Sequence, residues 1–220
     1  MTDMGAFRET VTAWAAGGPG DRARELAARL SVRTAVLLEG PSDLAAVDAL
    51  AASRGRDLEA EGVCVLAMNG AMSAGRFARV LGPPGLGLRL TGLCDEAERG
   101  YYARALEHDD ARHSDARHSG PDGTGARRQE FFVCSADLED ELIRALGVSR
   151  VEELVQEEGD LRALRTFTRQ PAQQDRTSQQ RLRRFLGTKK GRKIHYGRVL
   201  VEALSPGQVP APLDGLLTTL

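Results

Sequence analysis

The chain has 220 residues, 41% of them hydrophobic and 28% charged. This is the composition of a soluble globular chain long enough to bury a substantial core. Thirty Lys and Arg against 31 Asp and Glu give a net charge of -1, which excludes a uniformly basic nucleic-acid coat protein. No run approaches the roughly 18 consecutive apolar residues of a membrane span, so no membrane partner is expected. An acid at position 3 and no basic N-terminal region argue against a targeting peptide, so a cytoplasmic location is expected.

Residues 5–30 read as a helical lead-in, and 1–32 as a segment preceding the core. Four short apolar runs then alternate with helical patterns. The run Ala35-Val36-Leu37-Leu38 precedes a helix over 43–52, and Gly62 to Met68 precedes one over 72–81. A run ending at Cys94 precedes a helix over 97–107, and one ending at Cys134 precedes a helix over 138–146. Short apolar strands separated by helices of 10–15 residues indicate βαβ units and a parallel sheet covered on both faces. The expected fold class is α/β: a doubly wound, roughly four-stranded parallel core over about 34–147, flanked by helices. Cys64, Cys94 and Cys134 lie in or end these runs without a CxxC pair, so buried, reduced thiols are expected.

The segment 109–129 is poor in apolar residues and carries a tandem Asp-Ala-Arg-His-Ser repeat. His108, His113 and His118 fall in or beside it. With no Cys partner and no helical spacing, it reads as a flexible loop insertion and not as a zinc site.

The balanced net charge hides a segregation. Residues 137–160 hold nine acids against Arg144 and Arg150, whereas 161–198 hold twelve Lys and Arg against the single acid Asp175. All three lysines, Lys189, Lys190 and Lys193, fall within five residues. A helical, basic segment over 149–220 is therefore expected, with helices near 179–185 and 199–204. These would bury Leu182, Phe185, Leu200 and Leu204 and turn Arg181, Arg183, Arg184 and Arg192 outward. A basic face of this density attracts phosphate backbones through counterion release.

Parallel sheets place their chemistry beyond the carboxyl ends of the strands, and three of the four strand ends carry acids there. They are Glu39 and Asp43; Asp95, Glu96 and Glu98; and Asp137 and Glu139. Such clusters repel one another unless cations neutralise them or some carboxyls take up protons. Oxygen ligands without His or thiolate select Mg²⁺ or Mn²⁺ over zinc. Asp43 and Asp137 also stand at helix-capping positions, Asp137 with Asp140 at capping spacing. Glu39 ends an apolar strand before Gly40, and no cap requires it. Gly40 is expected to turn the chain, and Pro41 to stiffen its entry into the helix.

At this point the sequence resembles a known family. Val36-Leu37-Leu38-Glu39-Gly40-Pro41-Ser42-Asp43 is similar to the first motif of the TOPRIM domain, and the segment at Asp95 stands where its acidic second motif belongs. The resemblance is to the TOPRIM half of the OLD (overcoming lysogenization defect) nucleases and spans roughly 33–204, with the TOPRIM core at 33–148. It implies a TOPRIM (Rossmann-like) core with a basic helical C-terminal subdomain, and an endonuclease that hydrolyses DNA phosphodiesters with one or two Mg²⁺ or Mn²⁺ ions. It implies Glu39 and Asp95 as central metal ligands, Asp43 as a nearby ligand or water orienter, and Asp137 with Glu139 at a second metal. Lys193, with Lys190 as second choice, would balance charge on the phosphate. Arg183, Arg184, Lys189, Lys190 and Arg192 would bind DNA.

Two departures stand out. The second motif commonly reads Asp-x-Asp, and here it reads Asp95-Glu96-Ala97, with Glu98 the candidate replacement. No GxxxxGK[ST] phosphate loop is present, so the chain reads as the nuclease-like half alone, with a separately encoded ATPase and a second copy of itself as candidate partners. DNA repair or phage defence are the processes the resemblance implies. The competing reading is a TOPRIM scaffold that holds DNA or an ATPase without cutting. A receiver-like signalling domain fits less well, because Lys193 follows a Gly- and Arg-rich segment.

Overall fold

The computed structural model describes residues 3–83, 85–104 and 130–220, with Lys190 described by its backbone alone. The elements run α1 (Asp3–Ala15), α2 (Asp21–Arg29), β1 (Thr34–Leu38), α3 (Pro41–Ser53), β2 (Val63–Ala67), α4 (Ala74–Leu81) and β3 (Arg89–Asp95). A short 3₁₀ turn, Glu96–Glu98, leads into helix over 99–104. Then follow β4 (Glu130–Cys134), α5 (Leu138–Leu146), α6 (Val148–Glu157), α7 (Leu161–Thr168), α8 (Ser178–Leu186), α9 (Lys190–Glu202) and α10 (Ala211–Thr219).

The four strands form one all-parallel sheet in the order β2-β1-β3-β4. This is the α/β architecture that the alternating apolar runs predict. The inserted loop and the histidines at 108, 113 and 118 lie outside the described residues.

Strand residues alternate between two apolar layers, as side chains on a pleated sheet must. Ala35 and Leu37 face a layer built with Phe7, Val11 and Leu26 of α1 and α2 and Phe77 and Leu81 of α4. Val36 and Leu38 face the other layer, which runs through α3 and α5 to Tyr196, Leu200 and Leu216 of α9 and α10. The N-terminal helices therefore cover one face of the sheet, and the basic C-terminal helices help to cover the other. The three cysteines are buried and free, as expected. No helix among the described residues is long and apolar enough to cross a membrane.

The strand order places the crevice. From β1 the chain steps outward to β2, then crosses back past β1 to β3, so neighbouring connections diverge between the carboxyl ends of β1 and β3. Ligand sites of open parallel sheets form at such a switch point. Leu37 is paired with Gly92 and Asp95 with Cys134. The residues just beyond these pairs are Glu39 after β1, the Asp95–Glu98 segment after β3, and Asp137 after β4.

Candidate metal centre

Glu39, Asp95 and Glu98 each offer a carboxylate oxygen, and these oxygens lie within 4.8 Å of one another. All three side chains are partly buried. Glu39 and Asp95 meet because their strands are hydrogen-bonded neighbours. Glu98 joins them because the 3₁₀ turn after β3 brings it back over the strand end. Glu98, the candidate replacement for the carboxylate missing at Ala97, thus stands beside Glu39 and Asp95.

The electrostatics are those of crowded, partly buried carboxyls. Burial, reinforced by Asp137, Glu39, Asp43 and Glu98, pushes the Asp95 carboxyl up to about 7. Burial and a hydrogen bond with Glu39 push Glu98 up to about 7 as well. Among the described residues, Oε2 of Glu98 is buried without a hydrogen-bond partner, and so is the hydroxyl of Tyr102. Buried polar atoms are rarely left unpaired, so the orphaned Glu98 oxygen fits a hard cation that completes its coordination.

The remaining predicted acids surround this triad but are already engaged. Asp43 lies at the third position of α3 and accepts from the Gly40 amide at 2.9 Å. Burial raises its affinity for a proton. Asp137 caps α5, accepting from the Asp140 amide at 2.8 Å, and pairs with Nε of Arg183 at 2.6 Å. Glu139 is 4% exposed and lies 3.3 Å from Nζ of Lys193. Burial pushes Glu139 up to about 7 against the pull of Lys193. Burial also works against the charge on Lys193, but Glu139 and Asp43 outweigh it, and its net shift is upward. The capping spacings read from the sequence are therefore real, and they coexist with places at the rim of the cluster.

Lys193 reaches this rim because α9 lies along α3. Gly197, one turn after Lys193, permits the approach: a Cβ there would stand 2.6 Å from the Ser42 carbonyl oxygen. The sequence reading passed over Gly197, whose signal was a glycine inside a helix that offers no cap to explain it.

Two expectations need correction. Gly40 has φ -140° and ψ 174°, extended backbone that any residue adopts, and a Cβ there would make only ordinary contacts, 3.8 Å from Oδ2 of Asp43. Its use is as the residue preceding Pro41, whose fixed φ starts α3. Arg192 does not turn outward. Its side chain is 10% exposed, pairs with Asp160 at 3.0 Å, donates to Oγ1 of Thr188 and lies over the Phe185 ring. The cause is the 3.6-residue period, which puts Arg192 on the α9 face toward Asp160 and α8 while Lys193 faces Glu139.

Of the other predicted basic residues, Arg184 and Lys189 are exposed, and Arg183 is tied to Asp137. Leu182, Phe185 and Leu200 are buried as expected, whereas Leu204 is only partly so.

A four-stranded parallel sheet with strand-end acids at its switch point matches a TOPRIM-like α/β fold. Residues 32–96 match the family model for the overcoming lysogenization defect protein-like TOPRIM domain. The fold is similar to the C-terminal region of the Xanthomonas campestris pv. campestris OLD protein, with TM-score 0.61 and 24% identity over 86% of this chain and 93% of that one. It is also similar to the C-terminal region of the Burkholderia pseudomallei OLD protein, with TM-score 0.59 and 21% identity over 85% and 96%. No curated protein gives a match. The family match ends at Glu96, so Asp137, Glu139 and Lys193 rest on the geometry above.

Proposed function

We propose that the protein is a nuclease of the OLD-like TOPRIM type, which hydrolyses DNA phosphodiesters with Mg²⁺ or Mn²⁺. The observation that carries this reading is the convergence of Glu39, Asp95 and Glu98 on one point at the switch of the sheet. Three oxygen donors without His or thiol suit a hard divalent cation. Glu39, Asp95 and Glu98 would hold it, with Asp43 orienting water beside them. When bound there, a divalent ion supplies Lewis-acid polarisation of a phosphodiester and a nucleophilic water at neutral pH.

The chain's own residues do the rest. Lys193 stands at the rim, held by Glu139, where its ammonium can balance charge that develops on a phosphate. Arg183, Arg184, Lys189 and Lys190 supply the cationic approach for the DNA backbone, which positions a strand without reading its sequence.

Purified protein should nick or linearise plasmid when Mg²⁺ or Mn²⁺ is added, and Glu39→Ala should abolish this while the circular dichroism spectrum stays unchanged. Cleavage retained by Glu39→Ala would defeat the assignment.

A second reading, a TOPRIM scaffold that holds DNA or an ATPase without cutting, is favoured by one observation. Asp137 and Glu139, the expected ligands of a second metal, are already paired with Arg183 and Lys193. DNA binding without cleavage at any metal concentration would select it.

A further inference from the structure

The basic helices enclose a groove that the metal centre does not use. It has a volume of about 550 Å³ and lies between α7, α8 and the start of α9, within the roughly 300–1,000 Å³ range of small-molecule sites. Phe167 lines it, partly exposed and packed on Phe185 with ring centroids 5.8 Å apart. One wall is Arg192, immobilised by Asp160, Thr188 and the Phe185 ring. Arg162 and Lys189 stand exposed on the rim beside Thr166 and Gln170.

The lining is cationic on balance: it holds Arg162, Lys189 and Arg192, of which Arg192 pairs with the acid Asp160. Arg162 and Lys189 form no ion pair among the described residues, and neither do Arg165 and Arg169 outside the groove on and just beyond α7. On α6 and at the end of α9, by contrast, Arg150 and Arg198 are paired with glutamates. An aromatic side chain beside exposed cations and small polar groups matches the chemistry of an unpaired nucleotide: a π-faced base joined to a phosphate backbone. Sites for single strands combine these two features. A duplex keeps its bases stacked inside and would meet only the cations.

We propose that this groove receives an unpaired segment of DNA, with a base laid on Phe167 and flanking phosphates on Arg162 and Lys189. Position supports that use. Lys189 and Arg192, at the start of α9, line the groove, and Lys193 on the next face of the same helix meets Glu139 beside the acid cluster, so groove and cluster flank one end of α9. The proposal rests on the DNA reading above, but not on cutting.

The test is fluorescence anisotropy of the full chain in EDTA, using a labelled 12-residue oligothymidylate and a duplex of the same length. Phe167→Leu keeps an apolar side chain on Phe185 but removes the ring, and Arg162→Glu changes an exposed position that carries no packing. Loss of base stacking is worth about 5–150-fold per base. Phe167→Leu should therefore weaken oligothymidylate binding at least about fivefold and duplex binding less than twofold, whereas Arg162→Glu, a phosphate contact, should weaken binding of both probes. An equal loss on both probes with Phe167→Leu, no loss on oligothymidylate with either variant, or failure of the unaltered protein to bind oligothymidylate would overturn the proposal. Tighter binding of the matching oligouridylate would overturn DNA as the occupant. Plasmid nicking is scored separately: absent nicking with strand-selective binding intact would remove the cutting reading and leave the groove standing.

Discussion

Replacing Asp95 with Asn should stabilise the metal-free protein and weaken its response to metal. Burial, then the charges of Asp137, Glu39, Asp43 and Glu98, move the Asp95 carboxyl from its ordinary 3.8 to about 7. At about 1.4 kcal/mol per pH unit, that displacement sets a ceiling near ~4 kcal/mol on the cost of its charge in the fold. The side chain is only partly buried, so solvent screening reduces this to about 1–3 kcal/mol. A raised carboxyl makes the folded state hold its proton more tightly than the unfolded chain does. Its stability is therefore fully present below about pH 4 and is lost as pH rises to about 7. At pH 8 in EDTA, Asp95→Asn should melt about 2–10 °C above the unaltered protein, since 1 kcal/mol moves a domain of this size by about 2–4 °C. At pH 4 the two should coincide. Added Mg²⁺ should stabilise the unaltered protein through preferential binding to the folded state, and the variant far less. A less stable variant at pH 8, or an equal gain from Mg²⁺, would refute the view that these acids form one repelling, cation-binding cluster.

Three further outcomes follow from the same geometry. Gly197→Ala puts a methyl 2.6 Å from the Ser42 carbonyl, which should cost about 1–3 kcal/mol in urea denaturation and move Lys193 off Glu139, lowering metal-dependent turnover beyond what the stability loss explains. Asp95 and Glu98 are both pushed up to about 7 and must shed protons to accept a cation, so the melting shift produced by Mn²⁺ should be larger at pH 8 than at pH 6; a pH-independent shift would place the ion elsewhere. Arg183→Ala with Arg184→Ala should lower DNA affinity on every sequence and flatten its salt dependence by about one to two ions, while an unchanged slope would relocate the binding face.

Much of this architecture was legible in the sequence because it is local. Five-residue apolar strands, Pro41 at a helix start and Asp137 three residues before Asp140 declare themselves within a few positions. The acids at the strand ends were legible too, since a parallel sheet fixes which end carries chemistry. What the sequence withheld depends on contacts across the fold. Asp137 and Arg183 are 46 residues apart and Asp160 and Arg192 are 32 apart, so no local pattern reveals that each arginine has an acid to meet. Arg192 and Lys193 are adjacent and both cationic, yet one helical step sends them to different elements. The Glu39–Asp95–Glu98 triad lies between these cases. Its members could be named from the strand ends, but their convergence needed the β1–β3 pairing and the 3₁₀ turn after Asp95.

The most direct test is anomalous diffraction from crystals soaked in Mn²⁺ at pH 8. The account predicts an ion coordinated by Glu39, Asp95 and Glu98 together, with its peak weakened in Asp95→Asn crystals. Manganese bound only at other positions, or a triad that stays metal-free under saturating Mn²⁺, would contradict it.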